Sequence, residues 1–166
     1  MQQGGVAAFA LPPAGARRGE GLLLVTPARN SSALEAWAHH FREQFPGRRA
    51  HVLFEPSAEW RPADAGPLAD LLSTCFSDIT IALNSDARAF VEAIDMARTA
   101  HSSRPIGPAL ELTASLDRLL EGQDSADLVC VCPAHAAGLL SVLRHLETKG
   151  LSRQQIGGLA SVRHCR

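Results

Sequence analysis

Apolar and polar positions follow two different periods along this chain. Short, mostly apolar runs lie at Leu22–Thr26, Ala50–Glu55, Asp78–Leu83 and Leu128–Cys132. Runs of this length are typical of strands in a parallel sheet that is covered on both faces. The longer segments between them place apolar residues three and four positions apart, which is the spacing of amphipathic helices. The pattern therefore predicts a chain in which strands and helices alternate.

The clearest strand–helix unit lies near the end of the chain. Leu128–Cys132 is an unbroken apolar run, and Pro133 ends it because proline cannot donate a hydrogen bond to a neighbouring strand. Leucines spaced three and four residues apart then predict a helix. Gly150 follows the last of these leucines, at the place where a helix end favours a positive φ.

The remaining elements follow from caps and breakers. Asn30 and the two serines after it are N-cap candidates for the first helix, which Pro46 ends. The residues Ala109–Thr113 stay ambiguous between a short strand and an extended lead-in. Three further helices and a fifth strand are predicted at Asp64–Cys75, Asn84–His101, Ser115–Glu121 and Ile156–Val162.

This alternation predicts an α/β fold with three layers. Strand–helix–strand units form right-handed crossovers, so the strands form a Rossmann-like parallel sheet of about five strands. We expect the strand order 3-2-1-4-5. Glycines and prolines crowd the start of the chain, which predicts a flexible leader over residues 1–20 and a single domain over residues 21–166.

Composition narrows the classes of partner. The chain has 166 residues, 46% of them hydrophobic, and 16 basic residues against 17 acidic ones give a net charge of −1. Such a balance provides no general field for nucleic acid or an anionic membrane, so neither is an expected partner. No segment approaches the ~20 apolar residues of a membrane helix. The 4 cysteines have no regular spacing, which is typical of a reducing compartment, and we predict a cytoplasmic protein.

A candidate ligand site follows from the predicted sheet. In an open parallel sheet, ligands bind at the carboxyl ends of the strands where the winding reverses, here between strands one and four. The amides at the start of the first helix favour an anion, and an arginine adds charge. The residues expected at this point are Thr26, Arg29, Asn30, Ser31, Cys132 and His135. Capping, solvated surface charge and core packing are the alternative roles for the same residue types.

Catalytic and metal motifs are sparse. No Gly-x-Ser-x-Gly elbow precedes a helix, so no catalytic residue is predicted. Cys130, Cys132 and His135 form a C-x-C-x-x-H run, to which His164 and Cys165 could add ligands. Because nothing else resembles a paired zinc knuckle, this run stays an alternative and no metal site is predicted.

Two passages resemble the nicotinamide-nucleotide half of the ferredoxin reductase superfamily, and within it the siderophore-interacting reductases. They are Gly21–Glu55 and Leu116–Arg166, with Cys132 and Pro133 at the position of the family's nicotinamide-side motif. The resemblance implies NAD(P)H as cofactor, with Ser57 and Arg61 near the adenosine ribose phosphate. The glycines of both family turns are missing here, and no flavin domain precedes the nucleotide half, so a flavin would come from another subunit.

Two functional hypotheses follow. The first is a degenerate nucleotide-binding-like domain that resembles the NAD(P)H half of a flavin reductase and acts with a partner subunit. The second is a non-catalytic Rossmann-like or receiver-like module for protein interaction, with a regulatory or assembly role. In both, the chain is more an accessory protein than an independent enzyme. A protein partner or a homo-oligomer is expected, without nucleic acid or membrane insertion.

Overall fold

The computed structural model describes residues 7–10, 22–47, 50–101, 110–121 and 128–154. Its six strands are β1 Ala7–Ala10, β2 Leu22–Val25, β3 Ala50–Phe54, β4 Asp78–Ile81, β5 Leu128–Cys132 and β6 Ser152–Gln154. Its five α-helices are α1 Ser31–Gln44, α2 Ala65–Cys75, α3 Arg88–His101, α4 Leu112–Glu121 and α5 Ala136–Thr148. Short 3-10 helices, Pro62–Asp64 and Ser85–Ala87, lead into α2 and α3.

The sheet confirms the α/β class and the parallel arrangement but corrects the strand order. Four strands are parallel, in the spatial order β2-β5-β3-β4, which is 1-4-2-3 when these strands are numbered along the chain. The predicted order 3-2-1-4-5 is therefore wrong, and the described residues contain four parallel strands. Strand β5 lies between β2 and β3, and all five of its residues are buried. An unbroken apolar strand suits this central position because both of its edges and both of its faces are covered.

A strand at the start of the chain extends this sheet. Ala7–Ala10, within the predicted flexible leader, forms β1, which pairs antiparallel with β2, and β6 in turn pairs antiparallel with β1. This part of the leader is therefore a folded element that the sequence analysis missed. The predicted fifth strand at Ile156–Val162 lies outside the described residues.

The helices cover the two faces of the sheet unequally. One core cluster packs α1, α2 and α3 against one face and contains the aromatic side chains; the other packs α4 and α5 against the opposite face with aliphatic side chains. Alternate residues of β5 enter the two clusters, with Cys130 and Cys132 in the first and Val129 and Val131 in the second. This is the three-layer arrangement that the alternation of strands and helices predicted.

Several predicted helix ends agree with the structure. Asn30 caps α1, because its side-chain oxygen accepts a hydrogen bond from the Ala33 amide at 2.8 Å. Gly150 follows α5 with φ of 82°. Helix α4 begins at Leu112, so the end of the ambiguous stretch is helical. In the part of the chain that the structure describes, no helix has the length and apolar character needed to cross a membrane.

Candidate functional site

The carboxyl edge of the parallel strands is the place where the sequence predicts a ligand. Because β5 lies between β2 and β3, the loops after those two strands meet over the end of β5. The Thr26 amide donates to the Val131 carbonyl at 2.9 Å, and the Ala28 amide donates to the Pro133 carbonyl at 2.8 Å. On the other side, the Glu55 amide donates to the Cys132 carbonyl at 3.0 Å. The backbone hydrogen bonding between neighbouring strands thus continues into the loops.

The Arg29 carbonyl joins the β2–α1 loop to the β3–α2 loop. It accepts one hydrogen bond from the Ser57 hydroxyl at 3.0 Å and another from the Trp60 indole N–H at 2.9 Å. Trp60 is 3% exposed and stacks on Phe54, with ring centroids 5.5 Å apart, while Phe90 meets it edge-on at 5.0 Å. The aromatic core therefore holds the indole that locks the two loops together.

The Glu55 carboxylate lies at the start of α5. Its Oε1 accepts a hydrogen bond from the Ala134 amide at 3.2 Å. At Gly138, in the first turn of α5, an added Cβ would lie 3.6 Å from Glu55 Oε1 and 3.3 Å from the Pro133 Cβ. Helix N-termini attract anions because their amides point outward unpaired. Here the protein's own carboxylate lies close to the helix start, bonded to the amide of Ala134, which directly precedes the N-cap His135.

A second polar group lies at the start of α1. The Asp64 carboxylate accepts a hydrogen bond from the Ser31 hydroxyl at 3.3 Å. It also pairs with Arg61, whose Nε and Nη2 donate to its two oxygens at 3.2 and 3.3 Å. The predicted phosphate contact Arg61 is thus engaged by a carboxylate of its own loop.

Arg29 and His135, like Arg61, are predicted site residues that are exposed at this edge. Arg29 Nε lies 3.7 Å from Glu59 Oε2, and the Arg29 side chain is 76% exposed. His135 is exposed at the N-cap position of α5, where its side chain makes no capping hydrogen bond. These two side chains are available for contact with another molecule.

All the predicted ligand residues lie at or beside the carboxyl edge, where four of them are buried. Thr26, Ser31 and Ser57 are 6%, 5% and 8% exposed, and Cys132 is fully buried. Strands β2 and β5 are neighbours, as the predicted order required, yet the space between their ends is closed by backbone hydrogen bonds. Asn30 acts as the helix cap described above.

The sequence analysis did not assign Glu55, Trp60 or Asp64 to the site. Glu55 offered a weak signal, since it is a charged residue directly after the apolar run of the second strand. Trp60 offered another, as a tryptophan within a polar loop. The contact between Glu55 and the Ala134 amide depends on β3 lying beside β5, which the predicted order excluded.

The central cysteines are packed in the core. Cys130 and Cys132 are fully buried, and burial, together with the neighbouring Cys132, raises the pKa of the Cys130 thiol well above its ordinary value. A neutral thiol is a poor nucleophile and metal ligand. Within the described ranges, no group of three or more His, Cys, Asp or Glu side chains could hold a metal ion. His164 and Cys165, the other candidate ligands, lie outside these ranges.

The described contacts at this edge therefore join the loops that follow β2 and β3. Its buried polar groups form hydrogen bonds with one another. The exposed side chains of Arg29, Glu59 and Arg61 form a charged rim around them. Comparison with known proteins does not assign the chain to a family. No protein-family model matches it, and no curated protein matches it significantly.

Proposed function

We propose that this chain is a non-catalytic Rossmann-like module that serves protein interaction. The observation that carries the proposal is the closed carboxyl edge, where the two loops beside β5 are tied together by the Arg29 carbonyl and the backbone bonds to Val131 and Pro133. A nucleotide needs backbone amides that can approach its phosphates. At this edge the amides of Thr26, Ala28, Glu55 and Ala134 already have protein partners.

The charged rim supports the same proposal. Arg29, Glu59 and Arg61 are exposed on the two loops, and their backbone is held by the contacts beneath them. Exposed charges on a rigid scaffold set the orientation and association rate of a protein partner more than the affinity. Such a surface fits a regulatory or assembly role.

Calorimetry tests the first part of this proposal. The purified chain is titrated with NADPH and NADH at concentrations up to the millimolar range, and we expect no binding heat because the phosphate position is filled. Binding of either nucleotide with a Kd below about 1 mM, about −4 kcal/mol, would contradict the closed-site argument.

A partner test addresses the second part. The chain is captured from its native host with a photo-crosslinker at His135, and each captured protein is then purified and titrated back against the chain. We expect a stoichiometric complex that Arg29→Glu weakens. A crosslinker at Thr74, which is exposed on α2 away from this edge, is the matched control. Absence of any stoichiometric partner would contradict the proposal.

Nucleotide binding is the second candidate, and the position of Glu55 favours it. A carboxylate that accepts the Ala134 amide at the start of α5 occupies the place that a phosphate would take in a functional nucleotide domain. In this hypothesis the site is an eroded relative of a reductase's NAD(P)H half, and a phosphate enters once the carboxylate is displaced.

The variant Glu55→Ala separates the two candidates. It removes the internal carboxylate and leaves the Ala134 amide without its acceptor, whereas Glu59→Ala removes an exposed carboxylate from the same loop and serves as control. If Glu55→Ala binds NADPH and the unmodified chain does not, the chain carries an eroded nucleotide site. If neither variant binds, the interaction module is the better description.

A further inference from the structure

In the part of the chain that the structure describes, helix α5 has a neighbouring helix on one flank. The described helices of its sheet face are α4 and α5, whereas α1, α2 and α3 pack on the other face. Helix α4 lies along the flank of α5 that carries His145 and Lys149, because both of these side chains contact Asp117 of α4. The other flank of α5 is therefore the side on which a further helix could pack.

That other flank carries a line of residues that we call the α5 stripe: Ala136, Leu140, Leu143 and Glu147. Their spacing of four, three and four residues keeps them on one side of a helix and is the spacing of helix-pairing seams. At roughly 100° per residue, the stripe lies about half a turn around α5 from His145. Leu140 is 55% exposed and Leu143 is partly buried, while Ala136 and Glu147 are exposed.

The order of residues in the α5 stripe is complementary to itself. When two copies of the helix pack antiparallel about a two-fold axis midway between Leu140 and Leu143, Leu140 of each copy meets Leu143 of the other. Glu147 of each copy then lies opposite Ala136 of the other, whose small side chain leaves room for the carboxylate. An interface in which the same surface pairs with itself is the usual one in two-fold symmetric dimers.

The two ends of the stripe are also complementary in charge. The start of α5 is the positive end of the helix dipole, and the exposed His135 lies at its N-cap. Glu147 lies near the negative end of the same helix, where an acidic residue is unfavourable, and it forms no ion pair with another described residue. Antiparallel pairing brings this carboxylate to the positive start of α5 in the second copy.

The Glu55 carboxylate leaves this position open to Glu147 of a second copy. Glu55 Oε1 lies beside Gly138, at 3.6 Å from the place of an added Cβ. Gly138 projects from α5 on the side away from the stripe, since it precedes Leu140 by two residues, or roughly 200° around the helix. The like charges of Glu55 and Glu147 are therefore separated by the start of the helix.

We propose that the α5 stripe pairs antiparallel with the α5 stripe of a second copy, so that the chain forms a two-fold symmetric dimer. The proposal goes beyond the function proposed above and does not depend on it, because a nucleotide-binding chain could pair in the same way. A single pair of helices buries less than the roughly 1,200 Å² of a stable complex, so we expect a weak and reversible dimer.

Sedimentation equilibrium of the full chain, with a thiol reductant present, tests the dimer at concentrations up to about 1 mM, because so small an interface is a weak one. Leu140→Asp removes the central apolar contact from both copies and should raise the dissociation constant on the order of a hundredfold. Leu140 is exposed in the single chain, so this variant keeps its fold, which circular dichroism checks. A chain that stays monomeric throughout, or a Leu140→Asp variant that dimerises as strongly as the unmodified chain, would overturn the proposal.

A charge exchange tests the antiparallel arrangement. Ala136→Glu and Glu147→Lys each place unfavourable charges opposite one another, so each alone should raise the dissociation constant about fivefold or more. The double variant pairs the two new charges across the two-fold axis and should return to within about threefold of the unmodified chain. Positions 136 and 147 lie roughly 16 Å apart along one helix, so this recovery reports on contact between copies.

Glu121→Lys is the matched control for the charge exchange, because it changes an exposed acid on α4. It should leave the dissociation constant unchanged. A double variant that dimerises no more tightly than the two single variants would contradict the antiparallel pairing.

Discussion

The two faces of the sheet are stabilised by different chemistry. On the α1–α2–α3 face, the described core contains all the buried aromatic side chains, namely Trp37, Phe41, Phe54, Trp60, Phe76 and Phe90. On the α4–α5 face, the described core is aliphatic. An ionic cluster at its surface joins the two helices, with His145 Nε2 at 2.8 Å and Lys149 Nζ at 3.4 Å from Asp117 Oδ1.

This difference separates two kinds of stabilisation. Large rings bury much apolar surface per residue and fix the loops that follow the strands, so the aromatic face supports both the core and the candidate site. The aliphatic face has two helices and smaller side chains. We therefore expect a polar contact between those helices to contribute a larger fraction of the stabilising free energy there than on the aromatic face. Four sets of substitutions test the comparison.

The largest effect is expected from Phe41→Ala. Phe41 is 2% exposed and packs between Trp37, Phe45 and Phe76, so its loss leaves a cavity inside the ring cluster. We expect the free energy of unfolding to fall by about 3–5 kcal/mol, measured by urea denaturation. Phe45→Ala on the same helix is the control and costs less, because Phe45 is only partly buried. Equal losses of unfolding free energy in the two variants would show that Phe41 is no more important to the packing of the ring cluster than Phe45.

The matching change on the aliphatic face is Leu146→Ala. Leu146 lies on the buried face of α5 and is fully buried. Its truncation is expected to lower the free energy of unfolding by about 2–5 kcal/mol, less than Phe41→Ala in the same titration. Leu140 on the same helix is 55% exposed, so Leu140→Ala should change stability by no more than about 0.5 kcal/mol. If Leu146→Ala costs more than Phe41→Ala, the aromatic face is not the stronger one.

Trp60→Phe tests whether the aromatic face also holds the site. The substitution keeps an aromatic ring but removes the indole N–H that donates to the Arg29 carbonyl, and we expect a loss of about 1–2 kcal/mol. Trp37 is equally buried, and its Nε1 has no hydrogen-bond partner in the described structure, so Trp37→Phe is a matched control. Faster hydrogen exchange in the β2–α1 loop of Trp60→Phe alone would identify the hydrogen bond as the cause. Equal effects in both variants would assign the loss to packing.

The smallest effect is expected from Asp117→Asn, at most about 1 kcal/mol, because the carboxylate is partly exposed. Burial alone would raise the pKa of Asp117, but His145 and Lys149 together outweigh it and lower that pKa. A lowered folded-state pKa contributes stability above the unfolded value of about 3.9, and this contribution is lost as pH falls through the folded pKa.

Denaturation of the unmodified chain and Asp117→Asn is therefore compared at several pH values. The difference in unfolding free energy should shrink as the pH falls below the unfolded value of about 3.9. Glu121→Gln, at an exposed acid on the same helix, should show no such trend. A difference that grows on acidification would contradict the assigned role of the ion pair.

Local features of the fold could be predicted from the sequence because they depend on neighbouring residues. The run Leu128–Cys132, the cap at Asn30 and the helix end at Gly150 all lie where the pattern placed them. Strand β1 was missed because its short apolar run stands among glycines and prolines, and one of its two partner strands, β6, is distant in sequence.

The strand order could not be predicted in the same way. An order of 3-2-1-4-5 and an order of 1-4-2-3 use the same strands and helices, so periodicity does not distinguish them. The order decides which loops meet, and with it the partner of Glu55. The residue types at the candidate site were therefore predictable, whereas its closure was not.

The central position of β5 has a consequence for biosynthesis. This strand is made after β2, β3 and β4, yet it is the one that joins β2 to β3. While the ribosome has completed the chain only as far as residue 127, the earlier strands cannot form this sheet, since a gap one strand wide separates them. Parallel pairings between distant segments also form slowly. The nascent chain therefore exposes apolar strand edges until Leu128–Cys132 emerges, and this interval is the stage at which a chaperone would be of most use.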